Sequence, residues 1–373
     1  MKIGVLTSSR ADYGIYLPLL KAIMNASDLN LGLIAFGTHL SKKHGHTIDQ
    51  IVYDGFPIAK SIDTIPKGDS PLDIAKSYAL TTQKFAEYWS EEESTFDVVF
   101  ALGDRFEMAA AVAASIPFGI KIAHLHGGET TLGAIDNIYR HSITLASTLH
   151  FVSAEPFLKR VKQLHQGESI EVYNVGSLSL ENIEQIELLD KKLFLERWGI
   201  DLNQPTMLVT VHPETVDYQK NKDYSVVVGE ALNTLAREYQ VVITLPNADT
   251  MGNLYRKRFV ELSNTHANVF AVENFGTQSY FTCMNYAQIL LGNTSSGIIE
   301  AASFNKYVIN IGDRQKGRLC GDNVIHVPFD KQLILEATQK LKGMYWKGGN
   351  LYRQAQPSRK ILDILRTHLE ELH

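Results

Sequence analysis

The stretch HLHGGET, residues 124–130, sets two histidines, two glycines and a glutamate where the apolar run IKIA ends. On an extended chain positions i and i+2 point the same way, so His124 and His126 with Glu129 have the composition of a zinc site. No second histidine-and-carboxylate set at ligand spacing accompanies them, and a metal is not the preferred reading. His124 lies inside the apolar run and is expected as a packed, hydrogen-bonded core residue. Gly127 and Gly128 let the backbone turn sharply and approach a ligand closely, which delivers Glu129 at a strand end. Asp104, in LGDRFE, follows another apolar run, and Asp136, in TLGAIDNIYRHS, lies seven residues beyond Glu129. Each aspartate alone also fits a helix N-cap, because both precede helical patterns. Three carboxylates in a partly desolvated crevice would have some pKa values raised, the arrangement that removing and delivering protons requires.

A second set of loops has the chemistry of an anion site. GNTSSGIIEAASF, from Gly292, reads as a strand end, a tight loop and a helix start. Thr294, Ser295 and Ser296 offer hydroxyls beside backbone N–H groups, which suits a phosphate. Glu300, about one turn on, could accept bonds from ribose hydroxyls. An ordinary N-cap with a helix-start glutamate remains the alternative. GDRQKGR carries Arg314, Lys316 and Arg318, and TSSRADYG carries Arg10. Arginine presents planar, paired donors matched to phosphate. Arg10 and Arg314 stand at strand ends and point to the ligand, whereas Lys316 reads as solvated surface charge. GxxxxGK[ST] is absent, which excludes a P-loop. GxGxxG is absent after the first strand, which argues against a dinucleotide-binding half.

What positions these loops is a repeated pattern of short Val-, Ile- and Leu-rich runs. Each ends in a polar, glycine-containing loop and is followed by a stretch with helical spacing. IGVL, LGLIAF, DVVFAL, KIAHL, LHFV and EVYNV precede residue 181; TMLVTV, YQVVITL, NVFAV, AQILL and KYVINI follow residue 205. Continuous apolar strands alternating with helices predict parallel sheets covered on both faces, hence doubly wound domains. In such sheets ligands bind outside the carboxyl ends of the strands, where all the loops above lie. The charged, partly helical stretch 181–206 reads as the link between two such domains. SRKILDILRTHLEEL, with Pro357 and Ser358 at its start and Ile361, Leu362, Leu365 and Leu369 at helical spacing, predicts a closing helix.

The chain has 373 residues, enough for two domains, with 45% hydrophobic and 21% charged residues, ordinary for a globular protein. A net charge of −5 leaves no chain-wide basic footprint for nucleic acid. The two cysteines, Cys283 and Cys320, build no disulfide framework and no four-thiolate zinc site. The apolar part of MKIGVLTSSR is too short for a signal-peptide core, and no run approaches a membrane span. A cytoplasmic protein without nucleic-acid or membrane partners is expected.

Taken in order from residue 3 to about 327, TSSRADYG, GDRFE, HGGE, GAIDNIYRHSITLAS, HPET, PNADT, GNTSSGIIE and GDRQKGR resemble the hydrolysing UDP-N-acetylglucosamine 2-epimerases. These convert UDP-N-acetylglucosamine to N-acetylmannosamine and UDP for sialic acid synthesis. The resemblance implies an α/β, GT-B-type fold: two Rossmann-like doubly wound domains facing across a cleft, with a C-terminal helix returning to the first. The implied division is 1–182 with the catalytic carboxylates, 183–352 for UDP binding, and 353–373 for the closing helix. It also implies a UDP-sugar substrate, no cofactor (neither metal nor NAD), and a homodimer or homotetramer. The mammalian bifunctional relative carries a kinase domain after this region; with the chain ending at His373, none is expected. Motif by motif, UDP contacts fall on Arg10, Arg105, His212, Asn247, Thr294, Ser295, Glu300 and Arg314, with Ser296 a further hydroxyl in the same loop. The catalytic carboxylates fall on Asp104, Glu129 and Asp136.

The implied chemistry eliminates UDP to a 2-acetamidoglucal and then adds water. A sister reading is the same reaction on UDP-2,4-diacetamido-2,4,6-trideoxyglucose, in legionaminic acid synthesis. More distant readings are a GT-B glycosyltransferase, which would need an acceptor groove, and a non-catalytic nucleotide-sugar sensor, which would have no use for the three carboxylates.

Overall fold

Side chains alternate between two apolar layers along the strands of the first half of the chain. Ile3, Val5, Leu33, Ala35, Val98, Phe100 and Leu102 pack on one face, and Leu6, Ile34, Phe36, Val99 and Ala101 on the other. This two-sided burial is why these strands read as continuous apolar runs rather than as alternating ones. In the computed structural model, which describes residues 1–42, 45–65, 68, 70–91, 95–166, 170–216, 218–246 and 251–370, the chain folds as two units. The first holds Met1–Glu129, Asp136–Gln185 and the chain from Tyr352; the second holds Thr130–Ile135 and Ile186–Leu351.

The first unit contains strands β1 (Lys2–Thr7), β2 (Asn30–Phe36), β3 (Ile58–Ile62), β4 (Val98–Leu102), β5 (Ile122–Leu125), β6 (Leu149–Val152) and β7 (Glu171–Asn174). Its helices are α1 (Arg10–Met24), α2 (Ile48–Tyr53), α3 (Pro71–Trp89), α4 (Phe106–Ser115), α5 (Asp136–Leu145), α6 (Glu155–Leu164) and α7 (Leu178–Gln185). The strands pair in the order β3-β2-β1-β4-β5-β6-β7, all parallel.

In the second unit, α8 (Lys191–Trp198) is followed by β8 (Thr206–Thr210), α9 (Asn221–Leu235), β9 (Gln240–Thr244), α10 (Gly252–Thr265) and β10 (Val269–Val272). Then come α11 (Gly276–Tyr286), β11 (Ile289–Gly292), α12 (Ser295–Ile299), β12 (Val308–Ile311), β13 (Val324–Val327) and α13 (Lys331–Leu341). This sheet is also parallel, in the order β10-β9-β8-β11-β12-β13. Both are doubly wound, with the strand order reversing beside β1 and beside β8, the switch points at which such sheets bind ligands.

The C-terminal helix α14 (Pro357–Glu370) returns to the first unit, as expected. Its Ile361, Leu362 and Leu365 join the core packed under α1; the side chain of Leu369 lies outside the described residues. Its start is held by Glu181 of α7, whose carboxylate accepts from the Ser358 N–H (2.8 Å) and Oγ (2.7 Å). A carboxylate at a helix N-terminus satisfies donors that have no partner inside the helix and sits favourably in its dipole. Two strands escaped the sequence reading, β3 and β13. Both are sheet edges, and polar residues interrupt their apolar runs, Lys60 and Ser61 in β3 and His326 in β13.

Among the described residues, no helix is long and apolar enough to cross a membrane.

Candidate active site

In the first unit the strand ends carry charge in buried or half-buried pairs. After β1, Ser9 caps α1, accepting from the Asp12 N–H. The Asp12 carboxylate takes the Ser8 N–H (2.9 Å) and Oγ–H (2.6 Å). Burial pushes the pKa of Asp12 up, against the pull of Arg105. Arg10 opens α1 and is partly exposed.

After β4, Gly103 turns the chain with φ 75°, which favours glycine, and Asp104 leaves the strand. Asp104 does not cap α4; Arg105 occupies the cap position. The Asp104 carboxylate instead pairs with Arg140, whose side chain is only 2% exposed. Arg140 lies on α5, four residues after Asp136, so the two share a helix face, and Asp104 is thereby tied to the helix that Asp136 begins. Arg105 closes a fork on Glu107, with Nε to Oε2 at 3.2 Å and Nη2 to Oε1 at 3.0 Å. Glu107 is fully buried, which raises its pKa while Arg105 opposes the rise.

Beyond β5, left-handed backbone falls on His126 (φ 64°) and Gly128 (φ 75°) rather than on both glycines. At Gly128 a Cβ would stand 2.5 Å from the Phe157 carbonyl oxygen. Glu129 is almost completely buried; its Oε1 lies 2.6 Å from His126 Nδ1 and accepts from Ser153 Oγ at 2.7 Å. His124 is the core residue expected, with Nε2 2.9 Å from the Gly103 carbonyl and Nδ1 3.2 Å from Thr144 Oγ1. Burial holds its pKa down at about 4, so its ring is neutral at physiological pH. Among the described residues no group of three or more His, Cys, Asp or Glu gathers as a metal site.

In the second unit neutral side chains make several of the joints between strand ends. Asn293, buried at the end of β11, accepts from the His212 N–H (2.7 Å) and donates to the His212 carbonyl (2.8 Å). Gln315 Nε2 donates to the Asn293 carbonyl at 2.8 Å, bringing in the loop after β12. Gly292 is required where it stands, since a Cβ there would lie 1.8 Å from the Thr210 carbonyl oxygen. Thr294 is the N-cap of α12, its hydroxyl accepting from the Ser296 N–H, and Ser295 and Ser296 form the first turn. Glu300, buried, ends this short helix. Arg314 Nη1 donates to the Pro213 carbonyl at 2.7 Å, and the Asp313 N–H donates to Glu214 at 2.6 Å. Lys316 is exposed, 3.8 Å from Asp313.

The segment Thr130–Ile135, which connects Glu129 to Asp136, packs in this unit. The Leu132 N–H bonds the Lys316 carbonyl (2.8 Å), and the Ile135 N–H bonds Thr215 Oγ1 (3.0 Å). Asn247, expected in the nucleotide site, lies outside the described residues, as does Asp249 in the same loop.

Thus Arg10, Asp104, Arg105, Glu129 and Asp136 stand on the first unit, and His212, Thr294, Ser295, Ser296, Glu300 and Arg314 on the second. Asp12, Glu107, Arg140, His126, Ser153, Asn293 and Gln315 were not singled out as site residues by the sequence reading. Local spacing was a signal for some of these contacts, since Asp12 follows its cap Ser9 and Glu129 follows His126 by three residues each, whereas Arg140 meets Asp104 across 36 residues.

Two parallel sheets of Rossmann order define a GT-B-like α/β protein. A solved structure, UDP-GlcNAc 2-epimerase from Neisseria meningitidis bound to UDP-GlcNAc, has the same fold, with a TM-score of 0.82 at 17% identity over 98% of this chain and 100% of that one. Residues 21–366 match the family model described as UDP-N-acetylglucosamine 2-epimerase. The UDP-N,N'-diacetylbacillosamine 2-epimerase (hydrolyzing) of Legionella pneumophila is 34% identical over 98% of this chain and 96% of its own length. The GDP/UDP-N,N'-diacetylbacillosamine 2-epimerase (hydrolyzing) of Campylobacter jejuni is 36% identical over 93% and 88%. The chain belongs to the UDP-N-acetylglucosamine 2-epimerase family and is a UDP-sugar 2-epimerase.

Proposed function

We propose that the protein is a hydrolysing 2-epimerase of a UDP-2-acetamido sugar. It releases UDP and the free manno-configured sugar by way of a 2-acetamidoglucal. The observation that carries this is the placement of Asp104 and Glu129 at the carboxyl ends of the paired strands β4 and β5. β4 and β5 are neighbours in the sheet, about 4.8 Å apart, so the loops that carry these two carboxylates start side by side. Asp136 starts the helix whose Arg140 holds Asp104.

These three carboxylates divide the acid and base work: one proton leaves sugar C2 and one returns to its opposite face. The C2–H electron pair becomes the C1=C2 bond as the C1–O bond breaks and UDP departs with that bond's electrons. Water then adds, its hydroxyl to C1. Arg10, Arg314 and the loop with Thr294, Ser295 and Ser296 bind the diphosphate, Glu300 the ribose, and Arg105, His212 and Asn247 are further UDP contacts. Donors and cations there stabilise the negative charge developing on the leaving group. No step needs a metal or a nicotinamide.

Two sugars are in question. The names of the Legionella and Campylobacter relatives favour UDP-N,N'-diacetylbacillosamine, the 2,4-diacetamido-2,4,6-trideoxy sugar. UDP-N-acetylglucosamine is the family's namesake substrate. Proton NMR of the protein with each sugar in D2O tests both. Free UDP with a C2-deuterated manno product is expected, faster with the diacetamido sugar. Interconversion without UDP release would make it a non-hydrolysing epimerase. Neither release nor interconversion with either sugar would sink the proposal.

A further inference from the structure

We propose that His126 is the residue that takes the C2 proton, and that Glu129 acts through it as a positioning residue. The inference rests on the epimerase reading above and reassigns work inside it. Glu129 is 1% exposed, and its Oε1 is already engaged by His126 Nδ1 at 2.6 Å and Ser153 Oγ at 2.7 Å. A carboxylate held this way has little freedom to reach a carbon-bound proton. The same contact prepares the imidazole. With Nδ1–H donating to Oε1, the lone pair sits on Nε2, the nitrogen turned away from Glu129. A carboxylate on one ring nitrogen sets the tautomer, orients the ring and stabilises the imidazolium that forms when the other nitrogen accepts a proton.

The backbone supports this assignment independently. His126 has φ 64°, a left-handed conformation that residues with a Cβ rarely adopt. Its surroundings hold it there: its N–H bonds the Phe151 carbonyl at 3.1 Å, and Gly128 is pressed against the Phe157 carbonyl. Such outliers persist only where neighbouring structure over-determines them, and they cluster at functional sites. The turn places the His126 ring past the end of β5, whereas His124, inside the strand, spends both ring nitrogens on Gly103 and Thr144. Among the described residues, the charged and titratable groups near this turn include Glu129 itself, His124, and Asp104 and Arg140, which act on His124 from the end of β4 and from α5. Ser153, from the end of β6, is neutral.

In the reaction, Nε2 accepts the C2 proton, the C2–H pair becomes the C1=C2 bond, and UDP leaves with the C1–O pair. The imidazolium, paired with Glu129, returns its proton to solvent. In the second step water's hydroxyl bonds C1 while Asp104 or Asp136 delivers a proton to the other face of C2.

The variants His126→Asn and Glu129→Gln test this in the full chain, with UDP-N,N'-diacetylbacillosamine and UDP-N-acetylglucosamine as substrates. Asparagine tolerates left-handed backbone, and its amide can donate to Glu129, so the turn is kept. Expected for His126→Asn are UDP affinity near that of the native protein, a loss of about 100-fold or more in kcat and in C2 deuterium incorporation, and disappearance of the acidic limb of the kcat/KM pH profile. Glu129→Gln should lose less, about tenfold, and move that limb to lower pH, because the imidazolium loses its counter-charge. His126→Asn retaining activity within about fivefold, with the limb intact, overturns the proposal. So does a Glu129→Gln variant that leaves the limb unmoved, which keeps the test decisive if His126→Asn does not fold. Native protein that releases UDP from neither sugar defeats the epimerase reading itself.

Discussion

The two units share a sheet topology but fasten their strand-end loops differently. In the first, the contacts are ionisable: Asp104 with Arg140, Arg105 with Glu107, and His126 with Glu129. In the second, amides and hydroxyls supply several of the joints, Asn293 with His212, Gln315 with Asn293, and Thr210 with Thr244, whose hydroxyls meet at 2.6 Å, beside the charged joints of Arg314 with the Pro213 carbonyl, Glu214 with the Asp313 N–H and Arg256 with Glu273. Buried charges are costly unless paired, and their pairs respond to pH. Neutral networks hold a loop equally firmly without titrating. The paired charges and histidines at the strand ends of the first unit suit the proton transfers proposed above.

Substitutions can break this contrast. The largest effect is expected for Asp104→Ala, which removes the carboxylate paired with the buried Arg140 guanidinium. Removing one partner of a buried pair costs about 3 kcal/mol or more, measurable by denaturant unfolding, and turnover should fall with it. A loss below about 1 kcal/mol would show Arg140 satisfied by other groups. In the second unit, Asn293→Ala removes the two bonds that join β8's loop to β11's. About 2 kcal/mol should be lost, and by the same amount at pH 5 and pH 8. A pH-dependent loss would place a titrating group in that network.

Acidification of the native protein sharpens the comparison further. Burial lowers His39 and His124 from 6.5 to about 4, and His150 to about 3, and all three lie in the first unit. Their folded forms prefer to be neutral, so the stability they contribute is present above pH 6.5 and drains away as the pH falls from 6.5 towards 4. Asp12 and Glu107, raised by burial, work in the opposite direction, nearer the carboxylate range. Thermal unfolding should therefore fall by several degrees between pH 7 and pH 5, and a flat profile would contradict the burial of these rings. The smallest effect is expected for Lys316→Ala. It removes an exposed pair and should change stability by less than about 0.5 kcal/mol and UDP affinity hardly at all, in contrast to Arg314→Ala.

Most strands were legible because parallel strands buried on both faces must be apolar at every position. β3 and β13 were not, because an edge strand tolerates polar residues and loses that signature. His124 was recognisable as a core residue from its place inside an apolar run, and Lys316 as surface charge from its place in a loop. The contacts of Asp104 were hidden, since Arg140 comes from a helix far along the chain and meets it only when β4 and α5 pack.

The order of apolar runs and polar loops therefore determined the parallel sheets, the returning C-terminal helix and the clustering of acidic, basic and hydroxyl residues at strand ends. Local periodicity and residue type carry that information. Tertiary structure alone decided which nitrogen of His126 faces Glu129, which arginine holds Asp104, and why Glu129 is buried. Those outcomes depend on distances between side chains from separate elements, and no spacing along the chain encodes a distance across it.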